Sequence, residues 1–172
     1  MRRVAVIGRS GGGKSTLARA LGSTLGLPVI HLDVLFWRPG WVESEPEPFR
    51  ARLAAALTGD SWITDGDFMA AADLHLAGAD TIIWVDQPRG RCLWRALMRV
   101  AREHGRSRAD MAPGCEEKFD FQFLLYIWNW DRKPRARVEA AIAKYAPQTR
   151  LVRLRSDADI ADFLASVTNG PS

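Results

Sequence analysis

The chain has 172 residues, 47% of them hydrophobic and 26% charged, with a formal net charge of +4. This suits one globular domain with a full core, and it excludes a disordered, collagenous or disulfide-built chain. The basic side is nearly all arginine, since lysine occurs only at Lys14, Lys118, Lys133 and Lys144; arginine suits bidentate contacts to phosphate, so anionic ligands are expected.

The first expected element is a β-branched strand at Val4–Ile7. It runs into Gly8-Arg9-Ser10-Gly11-Gly12-Gly13-Lys14-Ser15-Thr16, a complete GxxxxGKS, and then into a helix from Ser15 to about Leu25. Glycines let the backbone turn its N–H groups around a phosphate. Residues 8–16 are therefore expected to bind ATP, with Lys14 on the β- and γ-phosphates and the Ser15 hydroxyl on Mg²⁺. Gly26 and Pro28 end the helix, and Pro28–Asp33 reads as a second strand. Pro39-Gly40 and Glu45-Pro46-Glu47-Pro48 read as loop, Phe49–Leu57 as a helix and Ser61–Gly66 as a third strand. A helical turn is expected at Asp73–Leu76, a fourth strand at Thr81–Asp86, and a helix from Pro88 to about Glu103. Helices over Asp120–Tyr126 and Arg135–Tyr145, a fifth strand at Arg150–Leu154 and a helix over Asp159–Val167 complete the pattern. Strands alternating with helices predict an α/β fold with a parallel sheet, whose ligands lie at the carboxyl ends of the strands.

Three expected strands end in aspartate. Asp65 or Asp86 fits the second acid of a nucleoside triphosphate site; Asp65 is preferred, because Gly66 leaves room beside the phosphate loop. Asp33 is placed to take a proton from a substrate hydroxyl. His31 reads as a structural histidine on the opposite side of the strand from Leu32. Arg91, Arg95, Arg99 and Arg102 fall four, four and three apart, one helical stripe with no acidic partner before Glu103. At least one is expected to act on the transferring phosphoryl group. The seven tryptophans are read mainly as core, with a stacking wall for a base or a single-stranded nucleic acid as the other reading. Cys92 and Cys115 form no metal motif. No leader segment or membrane span is read, so the expected location is cytoplasmic.

These motifs resemble the adenylate-kinase-related P-loop proteins known as DNA topology modulation protein, FlaR-type. The marks are GRSGGGKST, LPVIHLDVLFW with RPGWV, SWITDGDF, DTIIWVDQPR with CLWRALMR, RADMAPGCEEKFDFQFLLYIWNW, and LVRLRS. The resemblance implies a nucleotide-kinase fold, a five-stranded parallel sheet in the order 2-3-1-4-5, in one domain over 1–172 with a lid at about 89–135. It gives Asp65-Gly66 a place beside metal and phosphates, makes Arg95 and Arg99 lid arginines, and likens Asp33 to the hydroxyl-binding acid of shikimate-type kinases. Adenylate kinases carry Phe-Pro-Arg after that Asp-Gly; here stands Asp67-Phe68-Met69, so the arginine that grips a nucleoside monophosphate is missing. The expected activity is ATP- and Mg²⁺-dependent phosphoryl transfer to a small acceptor by a monomer or homodimer. A nucleotide-gated nucleic-acid-binding protein is the alternative.

Overall fold

The computed structural model describes residues 1–168. Five strands form one parallel sheet: β1 (Arg3–Gly8), β2 (Val29–His31), β5 (Trp62–Asp65), β6 (Thr81–Val85) and β7 (Arg150–Leu154). They lie in the order β2-β5-β1-β6-β7. Every pairing is parallel, with Val4 beside both Ile63 and Thr81. Counted within this sheet alone, the order is 2-3-1-4-5, as expected. The numbering skips because a separate antiparallel hairpin, β3 (Trp37–Arg38) with β4 (Val42–Glu43), stands between β2 and β5.

Period-two alternation sends the central strand's side chains to opposite faces. Val4 and Val6 meet Leu17, Ala18 and Leu21 of α1 (Lys14–Leu25), with Ile160 and Phe163 of α8 (Asp157–Thr168) beyond. Ala5 and Ile7 meet Trp62, Trp84 and Trp130, with Ala72 and Leu76 around α4 (Ala72–His75) and Val138 and Ala141 of α7 (Lys133–Tyr145). Both faces are covered, which is why β1 and β6 read as unbroken apolar runs. Trp62, Trp84 and Trp130 are core, as expected, whereas Trp94 and Trp128 are exposed.

Three local expectations are corrected. Residues 28–33 do not stay extended: β2 stops at His31, and Leu32–Phe36 coils into α2. Leu32 is wholly buried against Phe49, Leu53 and Ala71. The Trp37 indole N–H, one turn on, donates to Asp33 at 3.2 Å. The stretch around Pro39-Gly40 is a hairpin, tightened by positive φ at Gly40 and Trp41. The second long helix, α3 (Pro46–Ala56), starts three residues before Phe49, because proline fits a first turn whose N–H needs no intrahelical acceptor. The long α5 (Arg89–Glu103) and α6 (Phe121–Asn129) flank an irregular strap, residues 104–120. Among the described residues no helix is long and apolar enough to cross a membrane.

Candidate phosphotransfer site

The phosphate loop takes its shape from steric facts at two glycines. Gly8 has φ 131°, and a Cβ there would strike the Val85 carbonyl; Gly11 has φ 79°, and a Cβ there would strike the Cys92 carbonyl. The loop is thus pressed against the ends of β6 and the start of α5, and only glycine fits. α1 begins at Lys14 with no side-chain cap, so the first amides of the helix point free N–H groups into the loop. Lys14 Nζ donates to the Gly8 carbonyl at 2.6 Å, which folds the ammonium over the cradle. Arg9 turns the other way. Its guanidinium is 3% exposed, lies over the Trp130 ring and is paired with Asp131.

On the sheet side, β2 and β5 bring acids to the loop. Asp65 is 4% exposed, and His31 Nδ1 lies 2.8 Å from its Oδ2. His31 is therefore satisfied, as expected, but by the acid that sequence reasoning assigned to metal. Asp67, which that reasoning passed over, accepts from the Gly8 N–H at 2.6 Å. Asp67 lies beyond the end of β5, with Gly66 at φ 142° between the two acids, so no strand period marks it in the sequence. Burial raises the Asp67 carboxyl, against the pull of Lys14 and the Gly8 N–H. Asp33 sits in the first turn of α2 rather than at a strand end. Burial pushes its carboxyl up to about 6; the neighbouring Asp65 adds to the rise, and Lys14, Arg108 and Trp37 oppose it. Burial of its ring end, then the Asp67 charge, raises the Tyr126 phenol to about 12, and the Asp33 charge adds to the rise.

Asp86 stands apart. It is tied to Arg135 at 3.0 Å and to Arg153 at 3.0 Å, an ion-pair cluster joining β6, β7 and α7.

The arginine stripe is real, but it is not free of acids. Arg91 and Arg95 both reach Asp157 at the start of α8, at 3.0 and 2.8 Å. Arg95 Nη1 also lies 3.5 Å from the Gly12 carbonyl, so Arg95 bridges α8 and the phosphate loop. Arg99 donates to Glu117 at 2.7 Å, and Arg108 meets the same carboxylate at 3.2 Å. The expectation of an unpartnered stripe fails because Asp157 and Glu117 come from distant segments that no helical spacing reveals. Arg95, Arg99 and Arg102, with Trp94 and Met98, line an open groove of about 520 Å³ that begins beside the loop.

The strap closes the other side. Asp110 is 8% exposed and lies at the Ser15 hydroxyl, with Arg108 at 3.2 Å and Arg19 at 3.8 Å. Burial alone would raise its carboxyl, but Arg108, Ser15 and Arg19 together hold it below the usual range. Strap and hairpin are clasped: the Gly40 N–H donates to the Gly114 carbonyl at 2.9 Å. Cys115 Sγ donates to the Arg38 carbonyl at 3.2 Å, and the Trp41 indole to the Glu116 carbonyl at 2.9 Å. Met111, Ala112 and Cys115 pack on Trp37 and Trp41. The structure thus brings the backbone of residues 8–16, with Lys14 and Ser15, together with Asp33, Asp65 and Arg95, but turns the Arg9 side chain away to Asp131, sets Arg99 in the strap's support, and leaves Asp86 outside. Both cysteines are free and buried. Among the described residues no cluster of three metal-ligating side chains occurs.

No family model matches the chain. No curated protein matches it. Solved structures do. The shikimate kinase from Acinetobacter baumannii in complex with shikimate superposes with a TM-score of 0.56 at 14% identity, covering 96% of this chain and 89% of that one. A gluconokinase from Sinorhizobium meliloti 1021 gives 0.53 at 16% identity, with 98% and 90% covered. The deoxyadenosine kinase from M. mycoides with bound dCTP gives 0.50 at 10% identity, with 97% and 99% covered. The chain has the α/β fold, with its five-stranded parallel sheet and flanking helices, that these kinases share.

Proposed function

We propose that this chain is an ATP- and Mg²⁺-dependent phosphotransferase acting on the hydroxyl of a small acceptor, one domain over 1–172 with residues 89–135 as its lid. One observation carries the reading: an amide cradle with its lysine faces a half-buried carboxylate, Asp33, across the carboxyl ends of β1, β2 and β5, and Lys14 acts on both. The glycine turns that a Cβ would block and the uncapped start of α1 suit a triphosphate. Mg²⁺ on a nucleotide needs only one or two protein ligands; the Ser15 hydroxyl and Asp65 would hold it, in exchange for their present partners Asp110 and His31, and it would neutralise charge on the phosphates. The nucleoside part of ATP lies along the Trp94–Arg102 groove.

Asp33 then takes the acceptor's hydroxyl proton as the acceptor oxygen bonds to the γ-phosphorus and the bridging oxygen departs with ADP. Lys14 stabilises the charge spreading over the phosphoryl oxygens. Arg95 leaves Asp157 and turns to the same oxygens, and Arg99 closes behind it. The strap excludes water, so that phosphate goes to the acceptor and not to solvent. The likeness to sugar-acid and nucleoside kinases in fold supports this class of reaction without naming the acceptor, and the FlaR-type assignment remains a finer reading of the same motifs.

ATP turnover with Mg²⁺, read without acceptor and with nucleosides, nucleoside monophosphates and small hydroxyl compounds, tests it. One class should stimulate strongly, and Lys14→Ala and Arg95→Ala should each cut that rate by about 10²-fold or more. An activity that survived both changes would remove the assignment.

A second reading, a nucleotide-gated nucleic-acid-binding protein, draws on exposed Trp94, Phe119, Phe121 and Trp128, with the Arg89 guanidinium 4.3 Å over the Trp128 ring. It requires retention on single-stranded DNA at low salt that falls steeply as salt rises. Absence of retention removes it.

A further inference from the structure

Arg9 holds the second position of the phosphate loop, yet its side chain leaves the loop. The guanidinium is buried, 5.4 Å from the centroid of the Trp130 ring. Its Nη2 pairs with Asp131, just past the end of α6, whereas Nε and Nη1 are buried with no acceptor among the described residues. Asp131 is 42% exposed and also meets Arg135 at 3.5 Å. Arg135 is held besides by Asp86 at 3.0 Å and Glu139 at 3.3 Å, and Arg153 reaches the same acids at 3.0 and 3.9 Å. Arg9, Arg135 and Arg153 thus balance Asp131, Asp86 and Glu139, and Asp131 is the acid that Arg9 touches. Trp130 is fixed at ring and backbone: the ring meets Trp84 edge-on at 6.2 Å, and the carbonyl accepts from the Arg135 N–H at 2.9 Å.

For stability alone this is a poor use of a cation. A buried guanidinium with one ion pair loses water from its other N–H groups without replacement, and an apolar side chain of similar size is often neutral or better in such a place. What the pair can supply is a fixed backbone. The Arg9 carbonyl accepts from the Gly12 N–H at 3.1 Å, which closes the first turn of the loop. Arg95 Nη1 lies 3.5 Å from the Gly12 carbonyl at the end of that turn, and Gly8 and Gly11 rest on the Val85 and Cys92 carbonyls. The Arg9 side chain adds an anchor at the start of the turn, on the junction between α6 and α7. We infer that Arg9 is a positioning residue: held by Trp130 and Asp131, it fixes the turn from Arg9 to Gly12 and with it the aim of the loop amides. The inference rests on the nucleotide site of the phosphotransferase reading, and it extends that site to Trp130 and Asp131, which act through Arg9. An amide cradle binds an anion tightly when its N–H groups are aimed beforehand; a loop free to turn at Arg9 has to be ordered at every binding event.

Arg9→Met removes the charge and keeps an unbranched apolar stem. Asp131 is then left partly solvated and beside Arg135, so the fold should hold. Binding of ATP with Mg²⁺, and of tripolyphosphate, which probes the cradle without the nucleoside, is measured by calorimetry at a temperature where circular dichroism shows each protein fully folded. Arg9→Met should weaken both by about 10-fold or more, with Tm unchanged or raised. Arg9→Lys keeps the charge without the planar fork and should weaken both by less. Arg153→Met removes a cation of the same cluster that does not touch the loop, and it should leave both affinities alone. Wild-type affinities in folded Arg9→Met, whatever its Tm, overturn the inference and leave the phosphotransferase reading standing. So does an equal loss in Arg153→Met, which would mark a general loosening of the cluster. If Arg9→Met does not fold, Arg9→Lys decides by the same criteria. Wild-type protein that binds neither ATP nor tripolyphosphate overturns the reading and the inference together.

Discussion

Asp33 shows how one side chain is tuned by its neighbours. Burial is the largest influence on it and Asp65 adds to the rise, whereas Lys14, Arg108 and the Trp37 N–H favour its ionised form; the balance leaves it near 6. A carboxyl that accepts a hydroxyl proton works only when ionised. Activity should therefore climb as pH rises through about 6, and Asp33→Asn should lower kcat by about 10²- to 10⁴-fold and abolish that limb in a pH–rate profile. His75 shifts the other way. It is wholly buried in α4, and burial lowers its pKa from 6.5 to about 4. The unfolded chain takes up a proton near 6.5, while the folded chain resists until about 4. The contribution to stability is thus complete above pH 6.5 and is lost as pH falls toward 4, by about 3 kcal/mol in all. Denaturant midpoints across pH 7 to 4 check this, and His75→Leu should flatten the dependence.

At the scale of elements, legibility follows the range of the forces. The strand–loop–helix of residues 3–25 was readable because every cue in it is local: β-branched alternation, glycine, then leucines four apart. α6 is similar. Asp120 accepts from the Phe123 N–H at 3.0 Å and caps the helix. Asp120→Ala should cost about 1 kcal/mol, visible as a lowered Tm. α2 was not readable, because Leu32 coils to reach Phe49 and Leu53, a demand of the core that outweighs the β propensity of the run before it. The hairpin reads as loop in the sequence because each strand has two residues, below any detectable period. Site residues divide in the same way. Lys14, Ser15 and Asp65 carry their signature in their own segment. Asp110 at Ser15, Asp157 at Arg95 and Glu117 at Arg99 arrive from remote sequence, so only the folded chain discloses them. Asp67 belongs with these: it lies past the end of β5 and Gly66, and its bond to the Gly8 N–H joins segments 59 residues apart.

For the whole molecule, the sheet is the fixed part and the strap the adjustable one. β1, β5 and β6 are buried along nearly their whole length. The strap meets the hairpin through three hydrogen bonds, Gly40 to Gly114, Arg38 to Cys115, and Trp41 to Glu116, and meets α5 and α1 through the pairs Arg99–Glu117 and Arg19–Asp110. Local opening of such a clasp leaves the sheet intact. The closed clasp also has a consequence for the timing of the proposed reaction. If Asp33 is roofed between turnovers, the acceptor enters and its product leaves only when hairpin and strap part, and that parting moves solvent as well as protein. The turnover number should then fall as sucrose thickens the medium, while Trp41→Phe, which removes one of the bonds, should raise the wild-type rate and make it indifferent to viscosity. A rate unmoved by sucrose would place the slow step in the chemistry itself.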